Sequence, residues 1–408
     1  MAPINPRELN RATLARQGLL EPIRAHAAAH AAAQGAEGTA QGAAQAVERL
    51  GSLQGQHPEW PPMALASRTV DATTADLAGA IERRTVVRSS LMRNTIHVVS
   101  AVDLWPMFAV CQPLRLNQWR LLMKADPLDS ALGRRLTAAH EIAIAALRER
   151  PRSSLELDRL IADEVGLEAT AVSRSAWRQP DVQVVVRAAW RHFSAFHCLV
   201  HVPHDGEGYG RSRYALATDW LGEERPALDE AMARVHVARR YLAAFGPASV
   251  DDLVAYVGRG KAGIGAWREA IDAIGDETVT LHDDRGRTLH DLDRAPRPPA
   301  DTLAPPKLLA RWDSLLLSHA AKHRDRVISD ELRPAVYSKN ADVRPTFLID
   351  GMVAGTWELS RSGDLVAIVV RPATALDERD RVALEMEAMR LLAVVEPRAP
   401  SHQVTFTA

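Results

Sequence analysis

The sequence TVVRSSLMRNTIHVV, residues 85–99, alternates apolar and polar side chains on either side of Arg93 and Asn94. Alternation with a period of two is typical of strands that bury one face, and a polar pair between two such runs indicates a turn. The stretch therefore predicts a β-hairpin. Helices are predicted before it, at residues 6–20, 46–53, 62–70 and 74–83. Helices followed by a hairpin are the order of a winged-helix domain.

The same order of helices and then a hairpin recurs twice further along the chain. The second round has helices at residues 134–150, 154–165 and 182–193 and strands at 198–202 and 213–217. The third has helices at residues 228–245, 249–257 and 265–274 and strands at 278–282 and 288–292. We therefore expect three winged-helix units, at residues 1–125, 126–226 and 227–296.

A proline-rich stretch, APRPPADTLAPP at residues 295–306, marks the end of the third unit. Beyond it, Asp350 and Gly351 lie between two alternating apolar runs, which is a strong hairpin signal. Further strands are predicted at residues 365–371 and 404–407, with a long helix at 375–395. Residues 297–408 are thus predicted to form a small mixed α/β domain. The expected fold class is α+β.

Composition excludes several classes of protein. A chain of 408 residues that is 47% hydrophobic and 25% charged has the balance of a globular protein and is too long for one core. Two cysteines, Cys111 and Cys198, are too few for a disulfide scaffold or a thiolate metal site, and no apolar run is long enough to span a membrane. The N-terminus is polar and resembles no signal peptide. We expect a cytoplasmic protein without membrane contact.

Charge is distributed unevenly. The formal net charge of −1 argues against a basic nucleic-acid binder when the chain is taken as a whole. Between residues 83 and 124, however, seven basic residues face one acidic residue, Asp103, a local excess of six. The seven are Arg83, Arg84, Arg88, Arg93, Arg115, Arg120 and Lys124. This segment is where we expect a nucleic-acid surface.

The sequence lacks the common motifs of several enzyme classes. The chain has no P-loop, no dinucleotide-binding fingerprint and no nucleophile elbow. His26 and His30 lie four residues apart, as do His319 and His323, but no neighbouring acid or cysteine completes a metal-binding set. We expect these histidines to be solvated, and we expect no metal or cofactor.

The unusual feature is Gln54-Gly55-Gln56, which follows a predicted helix and precedes three prolines. Two amides one residue apart can project into a cleft, and Gly55 allows a backbone or ligand to approach closely. Glutamine donates and accepts hydrogen bonds but is no general acid or base, so it serves a reaction that needs positioning more than proton transfer. The alternative is a pair of solvated loop residues.

Five motifs together resemble the AlkZ- and YcaQ-type winged-helix DNA glycosylases, in the same order and over most of the chain. They are LQGQ at residues 53–56, MRNTIH at 92–97, YLAAFGPASVDDLV at 241–254, WDSLLL at 312–317 and LIDGMVAGTW at 348–357. Two features depart from the family pattern. The residue between the glutamines is usually aliphatic and here is Gly55, and the alanine-rich residues 25–42 are an insertion, expected to be partly ordered at the surface.

The resemblance implies an enzyme that wraps in a C shape around duplex DNA and excises N7-alkylated guanine. Its substrates include bulky natural-product adducts and interstrand crosslinks, and the Gln-x-Gln form is associated with self-resistance in antibiotic producers. Catalytic roles are implied for Gln54 and Gln56, the latter standing where the YcaQ branch has an aspartate. Alkylation at N7 makes guanine cationic, so the base leaves without being protonated. Gln56 is then expected to orient the attacking water and Gln54 to hold water or the sugar–phosphate.

The first hairpin is expected to touch DNA. Arg88 and Arg93 are candidates for phosphate contacts, with Thr95 and His97 near the glutamines. For His97 the alternative is a structural histidine at the edge of the core.

Two further sites are candidates. Arg211 and Arg213 border a glycine-rich loop at residues 205–210 and are predicted to contact DNA, unless that loop is an ordinary solvated turn. Trp60 follows the glutamines and is predicted to stack on a base or adduct, the alternative being packing in the core.

A second class of function stays open from the sequence. Winged helices are more often DNA binders than enzymes, so a transcription regulator or an adduct-sequestering protein is the alternative. Such a binder would leave no abasic sites in the DNA. In either case we expect a monomer, because several winged helices in one chain already supply the contacts that single-domain binders obtain by dimerising.

Overall fold

The computed structural model describes residues 3–24, 31–123, 131–164, 196–203, 212–258, 263–338 and 341–407. Its helices are α1 (Pro6–Arg16), α2 (Ala31–Leu50), α3 (Trp60–Ala66), α4 (Thr74–Glu82), α5 (Ala101–Met123), α6 (Ala131–Glu149), α7 (Ser154–Glu164), α8 (Ala217–Leu221), α9 (Glu230–Phe245), α10 (Val250–Val257), α11 (Ile264–Asp272), α12 (Ser314–Leu317), α13 (Arg333–Val336) and α14 (Glu378–Val395). Its strands are β1 (Leu53–Gln54), β2 (Val86–Ser90), β3 (Ile96–Ser100), β4 (Leu199–Pro203), β5 (Ser212–Leu216), β6 (Thr278–His282), β7 (Thr288–Leu292), β8 (Lys307–Leu309), β9 (Thr346–Ile349), β10 (Met352–Ser362), β11 (Leu365–Pro372) and β12 (Ser401–Phe406). The fold is mixed α+β. None of the helices in these ranges combines the length and the apolar character needed to cross a bilayer.

The hairpin predicted from residues 85–99 is confirmed, with β2 and β3 antiparallel and Arg88 opposite Val98. Its turn is a short 3₁₀ segment, Met92–Asn94, in which Arg93 and Asn94 have φ of 53° and 59°. Asparagine tolerates this left-handed region better than most residues, whereas for arginine it is uncommon. The turn therefore needs support from outside the hairpin.

The first two predicted hairpins share one sheet. The strand order is β1-β3-β2-β4-β5, with β2 and β4 joined where Ser89 lies opposite Val200. The third hairpin, β6 and β7, forms a separate two-stranded sheet. The joint between the first two hairpins connects positions more than 100 residues apart, which local patterns cannot reveal. The proposed domain limits remain predictions.

Two helices differ from expectation. No helix is predicted for residues 101–123, yet they form one helix, α5, which contains Pro106 and Pro113 and packs on α9. Helix α2 begins at Ala31, well before the expected start at residue 46, and runs through three glycines. Ala43 and Val47 in its C-terminal half are buried. Alanine also favours the helical conformation, which helps this alanine-rich segment to form a helix. Residues 25–30, with His26 and His30, lie outside the described residues.

The C-terminal part forms a five-stranded sheet in the order β12-β11-β10-β9-β8. The predicted turn at Asp350 and Gly351 is confirmed, with φ of 46° and 79°. Helix α14 packs on this sheet. One hydrophobic cluster contains Leu53 and Met63 of the N-terminal part together with Trp357 of the C-terminal sheet. The core beneath the Gln54–Gln56 segment is therefore built from both ends of the chain.

His319 and His323 were expected to be solvated, and this expectation is wrong. They are only 1% and 5% exposed. His323 Nδ1 lies 2.7 Å from an Asp252 carboxylate oxygen, and His319 Nε2 lies 3.1 Å from the Phe245 carbonyl. Both histidines therefore pack against neighbouring elements, and their four-residue spacing does not indicate an exposed helix face.

A buried ion pair joins the turn after α3 to the segment before α12. Arg68 and Asp313 are 1% and 0% exposed at their side chains, and two hydrogen bonds of 2.6 and 3.0 Å connect them. Asp313 also accepts a hydrogen bond of 2.9 Å from the Leu315 N–H. A charge left alone in such a place carries a large desolvation penalty.

We expect Asp313→Asn to lower the free energy of unfolding by about 3–5 kcal/mol, because it leaves the Arg68 charge buried and unpaired. Urea unfolding followed by circular dichroism measures the change. The matched control is Asp251→Asn, which breaks the exposed pair with Lys322 and should cost less than about 1 kcal/mol. Equal effects of the two variants would contradict the assignment.

Burial also predicts acid sensitivity. Burial, with a smaller contribution from Arg88 or Arg326, lowers the pKa of His201 and His319 from 6.5 to about 3. The unfolded chain therefore binds protons at these sites that the folded chain does not, and stability falls as the pH drops from 6.5 towards 3. At about pH 5 each histidine should cost about 2 kcal/mol relative to about pH 7.5.

The measurement is the free energy of unfolding in urea at the two pH values. His319→Gln should weaken the pH dependence, whereas His282→Gln, on an exposed position of β6, should leave it unchanged. A wild-type stability that is the same at both pH values would be incompatible with neutral buried imidazoles.

Candidate active site

The segment containing the two glutamines is an edge strand that pairs with the first hairpin. In β1, Leu53 lies opposite Val98 and Gln54 opposite His97. The Gly55 N–H continues the ladder by donating to the Ile96 carbonyl at 2.8 Å. A Cβ atom on Gly55 would lie 3.3 Å from Val98 Cγ2 and 3.4 Å from the His97 carbonyl carbon. The glycine therefore allows β3 to approach closely.

The two amides have different environments. Gln54 is 9% exposed, and its Oε1 accepts no hydrogen bond from the residues that the structure describes. Gln56 is exposed, and its Oε1 accepts a weak hydrogen bond of 3.4 Å from the Ile96 N–H. A buried amide oxygen without a donor is costly, so each one in a folded protein calls for an explanation, and a catalytic role is one such explanation. The pair therefore offers one desolvated acceptor beside one hydrated amide.

Arg88 holds this segment from inside. Its side chain is buried at 6% exposure, and Nε donates to the Gly55 carbonyl at 2.8 Å. Nη2 lies 3.5 Å from the Gln56 carbonyl. We had expected Arg88 to face phosphate. In the structure it binds backbone carbonyls, which fixes where the glutamine side chains begin.

His97 and Arg93 form a second support. His97 is 1% exposed, with Nδ1 3.0 Å from the Thr95 carbonyl and Nε2 3.2 Å from Arg93 Nη2. Burial, and next the Arg93 charge, lower the pKa of His97 to about 3. The ring is therefore neutral near pH 7, with Nδ1–H donating to Thr95 and Nε2 accepting from Arg93. Arg93 also donates to the Tyr256 carbonyl at 2.5 Å.

The residue before the strand is held as well. Ser52 Oγ lies 2.9 Å from the Tyr256 hydroxyl, and the Ser52 carbonyl accepts a hydrogen bond of 2.9 Å from Ser314 Oγ. Burial raises the pKa of Tyr256 to about 12, so its hydroxyl is protonated. Helices α10 and α12 thus anchor the start of the glutamine segment. Sequence reasoning missed these partners, because nothing local connects positions over 200 residues apart.

Of the remaining predicted DNA contacts, Thr95 directly precedes Ile96, which bonds the glutamine segment, whereas Arg213 is not brought to the glutamines. Thr95 is half-buried, and its hydroxyl donates to the Met92 carbonyl at 3.2 Å, within the hairpin turn. Arg213 lies on β5, at the opposite edge of the sheet from β1, with Nη1 3.4 Å from the Pro151 carbonyl. Arg211 and the loop at residues 205–210 lie outside the described residues.

The basic segment is partly internal. Arg88 and Arg115 are buried and Arg93 is half-buried. Arg115 donates to the Ser90 carbonyl. By contrast, Arg83 and Arg84 are exposed. A good part of the local charge excess therefore stabilises the hairpin and the glutamine segment, and only the remainder contributes to the surface field.

Trp60 begins α3 and is half-buried. Its ring meets the Trp357 ring edge-on, with centroids 6.0 Å apart, so part of it belongs to the core. It also lines two open cavities of about 950 and 460 Å³. The smaller cavity lies between Trp60, His57 and Trp312, and sequence reasoning did not single out the last two as site residues.

Comparisons with known proteins agree with this architecture. Residues 47–394 match the family model described as DNA glycosylase AlkZ-like. An interstrand DNA cross-link repair glycosylase of Streptomyces sahachiroi is 27% identical over 238 residues, which make up 56% of this chain and 58% of that protein. The alignment thus spans little more than half of that relative's length.

A solved structure extends the likeness over the whole fold. The Streptomyces sahachiroi DNA glycosylase AlkZ superposes with a TM-score of 0.73 at 19% sequence identity, and the match covers 100% of both chains. At this identity the superposition establishes a shared fold. Because the family model covers most of the sequence, the chain belongs to the AlkZ-like DNA glycosylase family.

Proposed function

We propose that the chain hydrolyses the N-glycosidic bond of N7-alkylated guanine in duplex DNA and leaves an abasic site. The observation that carries the proposal is the Gln54–Gln56 pair, a desolvated amide oxygen beside an exposed amide on a strand held at both ends. Family membership supplies the class of reaction. The curated relative is named for interstrand cross-link repair, and we extend the proposal to crosslinked guanine.

The chemistry suits neutral amides. N7 alkylation places a positive charge on guanine, so the glycosidic electron pair moves onto a base that departs as a neutral molecule. The deoxyribose becomes oxocarbenium-like, and water attacks its anomeric carbon. No strong base is needed early, because water becomes acidic only as its new C–O bond forms. Orientation therefore contributes more than proton transfer.

Each glutamine has a role that its environment favours. Gln54 Oε1 is buried and has no donor among the described residues of the free protein. In the DNA complex we assign it a hydrogen bond from the attacking water, which turns a lone pair of that water towards the sugar. Gln56 is exposed and can bind the same water or the sugar–phosphate as DNA covers it. Burial strengthens hydrogen bonds at Gln54, because the local dielectric constant is low.

Arg88, Arg93 and His97 act in this proposal mainly through the segment they hold. Arg88 fixes the Gly55 carbonyl, and Arg93 fixes the His97 ring, which lies opposite Gln54. We retain direct DNA contacts for the half-buried Arg93 and Thr95, and also for Arg211 and Arg213. The three helix-then-hairpin units and the C-terminal domain would together enclose the duplex.

The cavity of about 950 Å³ favours bulky adducts over methyl groups alone. Its apolar wall contains Trp60, Met63 and Trp357, and its rim carries both signs of charge. The arginines are Arg311, Arg344, Arg361 and Arg371, and the acids are Glu59, Asp342, Glu358 and Glu396. Because the arginines and the acids are equal in number, the cavity suits a neutral, largely apolar substituent of drug-like size better than a phosphate chain.

We expect Gln54→Ala and Gln56→Ala each to reduce the single-turnover rate of base release by about 10–1000-fold, because each removes a hydrogen bond made in the transition state. Release of 7-methylguanine from a methylated duplex measures the effect. The matched control is Gln112→Ala, a glutamine of α5 that is bonded to Arg225. A double variant that excises both small and bulky adducts at the wild-type rate would overturn the mechanism.

Substitution of Arg88 distinguishes a role in positioning the glutamine segment from a direct contact with DNA phosphate. If Arg88 holds the segment, Arg88→Met lowers the rate of base release while DNA affinity and its salt dependence stay unchanged. A phosphate contact would instead weaken binding and reduce the salt slope by about one unit. Binding by fluorescence anisotropy at several salt concentrations, beside single-turnover kinetics, separates the two. Arg84→Met, at an exposed position, is the control.

A DNA-binding protein without catalysis is the alternative class. Such a protein would shift alkylated duplex in a gel without creating alkali-labile sites. Incubation with methylated DNA followed by alkali cleavage decides between them. If the protein binds the DNA but produces no strand breaks at alkylated guanines, it is a DNA-binding protein and not a glycosylase.

A further inference from the structure

We propose that Tyr256 of α10 is a positioning residue for the two glutamines. The inference rests on the proposed function and deepens it, because it assigns the orientation of the catalytic amides to a side chain outside the strands that hold them. Tyr256 is buried, and it lies far along the chain from the glutamine segment. It nevertheless bonds the chain just before β1 and just before β3, and this double contact carries the proposal.

The Tyr256 hydroxyl fixes the start of β1. It lies 2.9 Å from Ser52 Oγ, and Ser52 directly precedes Leu53, the first residue of the strand. Both partners are buried, so water does not compete for the bond. Burial raises the pKa of Tyr256 to about 12, so the phenol keeps its proton. Gln54 is therefore two residues from a fixed point.

The backbone of the same residue fixes the turn before β3. The Tyr256 carbonyl accepts a hydrogen bond of 2.5 Å from Arg93 Nη1, and the Arg93 guanidinium also lies over the Tyr256 ring, 5.6 Å from its centroid. Arg93 Nη2 in turn lies 3.2 Å from His97 Nε2, and His97 is the residue of β3 that pairs with Gln54. Tyr256 thus reaches the strand pair through Ser52 on one side and Arg93 on the other.

The turn needs this support because its own conformation is unfavourable. Arg93 has a φ of 53°, and such a conformation persists only where the surrounding structure holds it. Gly258, directly after α10, lets the two segments meet, since a Cβ atom there would lie 3.2 Å from Arg93 Cα and 3.3 Å from Arg93 N. The φ of Gly258 is 109°, which residues with a side chain rarely adopt. The close packing of α10 on the turn therefore depends on this glycine.

These contacts form a closed ring, and position is what the ring controls. It runs, in order, through Tyr256, Ser52, Gln54, His97 and Arg93. Cutting one hydrogen bond of the ring leaves the strands paired but lets the glutamine segment shift by a fraction of an ångström. A reaction that depends on oriented water is sensitive to such shifts, since a displacement of about 1 Å can cost about 100-fold in rate.

The test is Tyr256→Phe, which keeps the ring and the backbone carbonyl and removes only the hydroxyl. We expect it to lower the single-turnover rate of 7-methylguanine release from methylated duplex by about tenfold, with the dissociation constant for that duplex changed by less than about twofold. Ser52→Ala removes the other side of the same bond and should have the same effect. The double variant should be no slower than either single variant, because the bond can be lost only once.

The matched control is Tyr241→Phe. Tyr241 of α9 is also buried, its ring lies 5.1 Å from that of Tyr256, and its hydroxyl donates to the Ser318 carbonyl at 3.0 Å. Each variant thus loses one buried hydroxyl from the same aromatic cluster, and we expect similar shifts of the urea midpoint. Only Tyr256→Phe should slow base release. A rate loss of equal size in Tyr241→Phe would mean that Tyr256 acts through stability alone, and would overturn the proposal.

A second measurement reads the position of the amides without any reaction. In protein isotopically labelled at the glutamine side chains, the nuclear magnetic resonance signals of Gln54 and Gln56 are identified by their loss in the alanine variants. We expect Tyr256→Phe to shift these signals and Tyr241→Phe to leave them in place.

The outcomes separate this role from the proposed function. Unshifted signals in Tyr256→Phe, or an unchanged rate of base release in that variant while wild type is active, would overturn the positioning role. If the signals shift as expected but wild type releases no base from alkylated duplex, the positioning role stands and the glycosylase proposal fails.

Discussion

The hydrogen bond from the Gly55 N–H to the Ile96 carbonyl is the constraint on which the rest of the candidate site depends. It places the glutamine segment as an edge strand against the first hairpin, with Gln54 opposite His97. Because side chains alternate along a strand, a slip of one residue would exchange the buried and exposed faces. Residues two apart lie on the same side of a strand, so the different burial of Gln54 and Gln56 follows from the end of β1 at Gln54 and not from alternation. The absence of a side chain at Gly55 allows the strands to approach.

The arginines illustrate how the position of a charge decides its use. In water an arginine beside DNA neutralises a phosphate, but Arg88 and Arg115 are buried and donate to carbonyl groups of the glutamine segment and the hairpin. A buried guanidinium needs such acceptors, since leaving its N–H groups unpaired is costly. Part of the basic excess between residues 83 and 124 thus stabilises the site, and counting charges along the sequence overstates the field at the surface.

The two ends of the chain meet beneath the glutamines. Leu53 and Met63 share a hydrophobic cluster with Trp357, the Arg68–Asp313 pair ties the turn after α3 to the segment of Trp312, and Ser314 bonds the carbonyl of Ser52. Apolar burial supplies most of the attraction at this junction, and the ion pair and hydrogen bonds fix its geometry. Both the edge strand and the Trp312 segment are consequently products of the same interface.

The sequence by itself determined the local elements and the family. The hairpins at residues 85–99 and 278–292 and the turn at Asp350 followed from alternation and turn chemistry, and five ordered motifs indicated the glycosylase family. Helix α5 was not predicted; it contains two prolines, Pro106 and Pro113, and local patterns disfavour proline inside a helix. Only the tertiary structure decided that the first two hairpins share a sheet, that Arg88 and His97 face inward, and that Trp312 lies beside His57. The physical reason is that burial and pairing partners are set by contacts between residues that lie from tens to more than two hundred positions apart, which no short window of sequence contains.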